Sequence, residues 1–133
     1  MGLAAYLRHE LSLRQARNPA YSLRAFGRDL GCDHATVSQW IRGQRPVSPQ
    51  AFERVCARLG LGSAEAQLVA AFDPIDLDIM AATRGLPAPT AAKVAHDAGT
   101  SIDQVNISLS RLLRLGLLRM HGDRWVGRDE ETR

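Results

Sequence analysis

Apolar positions in the first seventy residues recur at helical spacing and are interrupted at short intervals by capping and breaking residues. Leu3, Leu7 and Leu11 fall four apart with Tyr6 beside them, which predicts an amphipathic helix ended by Asn18-Pro19. In residues 22–45, SLRAFGRDLGCDHATVSQWIRGQR, Ser22 caps a short helix with Phe26 and Leu30 inward at i, i+4, and Gly31 ends it. Asp33 caps a second helix, His34 to Arg42, closed by Gly43, with Val37 and Ile41 on its buried side. Ser48-Pro49 opens another, in which Phe52, Val55, Cys56 and Leu59 form a buried stripe up to Gly60 and Gly62. Ser63 caps a fifth helix carrying Leu68, Ala71 and Phe72.

The pattern breaks at Asp73-Pro74, which marks a domain boundary, and resumes with Ile75, Ile79 and Met80 on one helical side. Residues 84–89, RGLPAP, form a loop. A shift of 68 residues then superposes Phe26 on Val94, Gly27 on Ala95, Asp29 on Asp97, Gly31 on Gly99, Asp33 on Ser101 and Val37 on Val105. Thr90–Leu113 therefore reads as a second pair of short helices around a glycine. Ser101 and Gln104 have the spacing of a capping box, and Ile102, Val105, Leu109, Leu112 and Leu113 point inward. An apolar strand, a Gly122-Asp123 turn and a second strand up to Val126 make a β-hairpin, or wing. The expected fold is mainly α, with domains at residues 1–72 and 73–127 and a polar, disordered tail at 128–133.

Two short helices joined by a turn of about three residues that includes a glycine form a helix-turn-helix. Gly27 is small where the first pair would cross. The outer side of the second helix keeps His34, Ala35, Thr36, Ser38, Gln39 and Arg42. Short, polar and basic side chains are what a helix needs to lie in a DNA major groove. His34, Ala35, Thr36, Ser38 and Gln39 are the candidates for base edges; Ser22, Arg24, Arg42 and Arg45 are those for phosphates. Charge agrees with a polyanionic partner. Residues 1–60 carry nine arginines against four acids, whereas residues 61–133 carry eight basic residues against ten acids.

The glycine of the turn, the small residue four before it and the valine six after it occur together. On these residues the stretch from about Leu3 to Leu61 resembles the lambda-repressor/Cro-like (XRE-type) DNA-binding domains of bacteria and phages. Many relatives begin the first motif helix with a phosphate-binding Gln, where this chain has Leu23 between Ser22 and Arg24. Asp76–Val126, through its RLLRLGLL passage, is similar to MarR-like winged-helix domains. The resemblance implies a five-helix Cro-like domain followed by a small winged helix with one hairpin, an order found in a group of bacterial transcription regulators.

In the second motif the outward residues would be Asp103, Gln104, Asn106, Ser110, Arg111 and Arg114. A winged helix could read DNA through Gln104, Asn106, Arg111 and Arg114, with Arg119 and Arg124 on the wing. It could instead pair protomers or bind protein, with Ile107, Met120 and Trp125 at the interface. The acids Asp76, Asp78, Asp97 and Asp103 favour the second use. A homodimer is expected because one recognition helix reads too few base pairs for genomic specificity. The reading is a cytoplasmic, nucleoid-associated repressor with double-stranded DNA as partner, and RNA polymerase as a further one should it activate. The rival is a protein-interaction adaptor, such as an antitoxin or polymerase-binding factor.

No enzyme is expected, since no phosphate loop, nucleophile elbow or zinc-protease motif occurs in the sequence. No cofactor or metal is expected either: Cys32, His34 and Cys56 lack finger spacing, and two cysteines make no disulfide framework. No signal peptide and no apolar run of about 20 residues is seen.

Overall fold

The computed structural model describes residues 2–84, 90–122 and 124–127. The expected proline loop at 85–89, Asp123 of the hairpin turn and the expected tail at 128–133 lie outside the described residues. Among the described residues the chain is mainly helical with a two-stranded antiparallel hairpin, and it divides into two compact units, residues 1–72 and 73–133.

The first unit holds α1 (Leu3–Arg17), α2 (Leu23–Leu30), α3 (His34–Ile41), α4 (Pro49–Arg58) and α5 (Ser63–Ala70). α3 packs on α1 and α2, α4 on α2, and α5 on α1. The core is Leu3, Tyr6, Leu7, Leu13, Phe26, Leu30, Val37, Trp40, Val55, Cys56, Val69 and Phe72. The two ends of the unit are joined. Gly2 N–H donates to Ala70 O at 3.0 Å, Tyr6 meets Phe72 edge to face at 5.7 Å, and a Cβ on Gly2 would stand 2.0 Å from Phe72 O.

Several expectations need correction here. Trp40, not Ile41, is the second core residue of α3: it is buried while Ile41 is half-buried. Leu11 and Leu68 are half-buried and Ala71 is exposed, because Leu13 and Val69 take the inward positions. Asp33 precedes α3 without a side-chain capping bond; Ser63 is helical, and its helix is capped instead by the Glu65 carboxylate, which accepts from Gly62 N–H at 3.2 Å.

The second unit holds α6 (Pro74–Thr83), α7 (Ala91–Ala98), α8 (Ile102–Arg114), β1 (Leu118–His121) and β2 (Arg124–Gly127). The three helices pack on one another around Ile79, Val94, Ala95 and Val105. β1 pairs antiparallel with β2, Leu118 opposite Gly127 and His121 opposite Arg124. Arg84, just after α6, bridges to Trp125 of β2. α6 starts with a reciprocal cap: Asp73 Oδ1 accepts from Ile75 N–H at 2.9 Å, and Asp76 Oδ2 accepts from Asp73 N–H at 3.0 Å.

The 68-residue repeat is present in the backbone. α2 and α7 have equal lengths and stand 68 residues apart, as do the starts of α3 and α8. Ser22 and Thr90 both cap through a side-chain oxygen, each accepting from the backbone N–H three residues on. Gly31 and Gly99 both end their helices in the left-handed region, at φ 72° and 69°, where a Cβ would be strained. The following amides also match, with Cys32 N–H on Gly27 O at 2.8 Å and Thr100 N–H on Ala95 O at 2.9 Å.

Candidate nucleic-acid interface

The turn between α2 and α3 leaves no room for a side chain at Gly27. A Cβ there would lie 2.9 Å from Cys32 O and 3.0 Å from both His34 N and Cα, all backbone atoms. This close approach fixes how α3 crosses α2. Arginine fixes the rest. Arg8 of α1 donates to Ile41 O at 2.7 Å, satisfying a last-turn carbonyl of α3. Arg58 of α4 donates to Asp29 O and Arg28 O at 3.0 and 3.1 Å, doing the same for α2. Arg14 lies over the rings of Tyr21 and Phe26 and bonds Glu10, Tyr21 and Asp29. Tyr21 also donates to Asp29. Burial, joined by the bond to Asp29, pushes the Tyr21 hydroxyl above its ordinary range. Burial works against the Arg14 charge, but its bonds to Tyr21 and Glu10 outweigh this and hold it more firmly protonated. Arg8, Arg14 and Arg58 are therefore tied into the fold, Arg14 half-buried and the other two at the surface.

Arg42, Arg45 and Arg54 lie on or beside α3. Ala35, Gln39 and Arg42 are exposed on its outer side, and His34, Thr36 and Ser38 are half-buried. Arg42 lies back along the helix, bonding the Ser38 hydroxyl and Ser38 O. Arg45, in the loop after α3, reaches Thr36 Oγ1 at 3.4 Å. His34 Nδ1 lies 3.6 Å from Asp33 Oδ1. Ser22 and Arg24 are exposed at the N-terminus of α2, where Ser22 Oγ already accepts from Ala25 N–H at 3.0 Å. A cleft of about 340 Å³ beside α3 is lined by Asp33, Thr36, Arg45, Ser48 and Arg54, among others. Arg54, exposed on α4 away from its apolar stripe, joins the basic rim because the fold brings it to Cys32, with its Nη2 3.8 Å from Sγ.

The candidates of the second unit are divided differently. Arg111, expected outward, turns inward: its Nη1 lies 2.7 Å from Oδ2 of Asp76, which is fully buried. Gln104, also expected outward, is half-buried and donates from Nε2 to Ser108 Oγ at 2.9 Å, so it completes no reciprocal cap with Ser101. Ser108 donates in turn to Asp76 Oδ1 at 2.5 Å. Asn106, Arg114, Arg119 and Arg124 are exposed. Of the interface candidates, Ile107 and Met120 are exposed and Trp125 is half-buried. Ile102 and Leu113, expected inward, stand outward. The inward arc of α8 runs through Val105, Ser108 and Leu112 and ends before reaching them.

Among the described residues, no cluster of three or more His, Cys, Asp or Glu is placed to hold a metal ion, and no helix is long and apolar enough to cross a membrane. No curated protein and no solved structure matches the chain. A family model described as a helix-turn-helix domain matches residues 3–69, just over half of the sequence, and this span contains α1 to α5. With its glycine-pinned crossing and exposed second helix, the chain belongs to the helix-turn-helix domain family, whose fold is that of a DNA-binding domain.

Proposed function

We propose that this protein is a sequence-specific transcription regulator that binds double-stranded DNA as a homodimer and represses where its site overlaps a promoter. The observation that carries the reading is the outer side of α3, where Ala35, Gln39 and Arg42 are exposed in a setting of further arginines. In this reading Gln39 meets a base edge, with His34, Ala35, Thr36 and Ser38 beside it. Arg24, Arg42 and Arg45 hold phosphates, and Ser22 sets the N-terminus of α2 against the backbone. A dimer would read two half-sites about 34 Å apart, or a multiple of it.

The second unit serves pairing rather than base reading. Two of its six candidate DNA contacts, Gln104 and Arg111, are already bonded to Ser108 and Asp76. Selection of bound fragments from random DNA, followed by salt titration of the selected site, tests the proposal. The expected result is a two-fold related motif whose affinity falls steeply with salt. Recovery of unenriched sequence, or affinity indifferent to salt, would overturn it.

A further inference from the structure

Four large apolar side chains are exposed among the described residues, and three of them, Ile102, Ile107 and Leu113, belong to α8; they are 48%, 53% and 44% exposed. Ile102 and Leu113 fall on one flank of this 13-residue helix, and Ile107, the most exposed of the three, stands about 130° round from them. Two charges on the side of Ile107 say what covers it. Asp103 and Arg114 are both exposed, in the first and last turns of α8, and neither has an ion-pair or hydrogen-bond partner among the described residues. They stand eleven residues apart, three turns, and so share a face to within about 20°. Ile107, four residues after Asp103 and seven before Arg114, lies on that face as well, whereas Ile102 and Leu113 stand about 100° round the helix from it.

We infer that α8 packs antiparallel against α8 of a second copy of this chain. A two-fold axis through the middle of the helix brings Asp103 to the partner's Arg114, and Arg114 to the partner's Asp103. The same operation sets Ile107 against the partner's Ser110, close to the axis. Such self-matching is what an isologous contact requires. Antiparallel helix dipoles add to the attraction. The inference rests on the dimeric reading above and supplies its surface.

The test is sedimentation equilibrium of the full chain in four forms: wild type, Asp103→Arg, Arg114→Asp and the double exchange. Wild type sediments as a dimer. Each single reversal places like charges opposite each other twice and raises the dimer Kd at least tenfold, whereas the double exchange restores it to within about threefold. Both positions are exposed, and circular dichroism verifies that each variant is folded. A monomeric wild type, or a double exchange as weak as the single ones, overturns the inference. Binding of the same four proteins to a half-site oligonucleotide is measured in parallel. Loss of DNA binding by a wild type that still dimerises would refute the regulator reading and leave the α8 pairing standing.

Discussion

Ser108 occupies in α8 the place that Trp40 occupies in α3, 68 residues earlier and six residues after the helix's first position in each case. Both are buried. An indole fills that place in the first motif. In the second, a hydroxyl leaves room for polar groups, and Asp76 and Arg111 meet beside it. One backbone plan thus supports an apolar seat in one unit and a buried ion pair in the other.

Arg111→Ala should destabilise the second unit by about 3 kcal/mol, since it leaves the fully buried Asp76 carboxylate without its cation. Replacing both partners, Asp76→Leu with Arg111→Met, should cost less than Arg111→Ala alone, because no charge is then stranded. Urea unfolding of the three proteins measures this. A cost below about 1 kcal/mol for Arg111→Ala would mean that the carboxylate is satisfied by Ser108 and Asp73 N–H without it.

Gly27 and Ala95 hold equivalent places, and exchanging either for the other's residue should destabilise, for different reasons. A methyl at Gly27 meets three backbone atoms at 2.9–3.0 Å, so Gly27→Ala should cost about 2 kcal/mol and displace α3, weakening DNA binding as well. Ala95→Gly loses a buried methyl and helix propensity, about 1 kcal/mol, with no effect on the α2–α3 crossing. Thermal unfolding and binding to the selected site are the measurements.

Features written in neighbouring residues were legible in the sequence. Ser22, Gly31, Thr90 and Gly99 act on the amides and carbonyls next to them, so spacing alone locates the helices that they bound. The Asp73–Asp76 reciprocal cap has the same local character and could have been read from the sequence. Trp40 was not legible, because whether a two-turn helix buries position 40 or 41 depends on the angle at which it crosses its neighbours. Arg111 looked like a surface cation because its partner lies 35 residues away, and the serine that admits the pair is unremarkable in sequence. The apolar count of α8 suggested five inward residues, yet a helix packed on one side of a small unit cannot bury that wide an arc. Arg8 and Arg58 gave no sign that they finish the ends of α3 and α2, because the carbonyls they bond lie 33 residues away for Arg8 and 29 and 30 for Arg58.

The two thiols should differ in reactivity and in their effect on stability. Cys56 is buried, which pushes its thiol above the usual range, whereas Cys32 is half-exposed. A disulfide reagent at neutral pH should label Cys32 at least tenfold faster, with Cys56→Ala assigning the slow phase. A raised folded-state value means that the unfolded chain loses this proton first. The contribution of Cys56 is therefore fully present below about pH 8 and declines as pH rises through the higher folded value. Urea midpoints between pH 7 and 10 should fall more in wild type than in Cys56→Ala.

Gln39 and Arg42 lie three residues apart on the exposed side of α3 but should fail differently when truncated. Arg42 presents charge, so Arg42→Ala should weaken specific and random DNA alike and reduce the salt slope by about one unit. Its bonds to Ser38 are local and exposed, and their loss should leave the fold unchanged. Gln39 has the donor and acceptor geometry that matches an adenine edge, so Gln39→Ala should cost about 1–3 kcal/mol on the selected site, relax preference at one position of each half-site, and leave the salt slope alone. Fluorescence anisotropy on specific and scrambled duplexes across a salt series separates the two. If both variants lose the same affinity on both duplexes, α3 is held against the backbone rather than inserted among the bases, and the assignment of Gln39 to base reading fails.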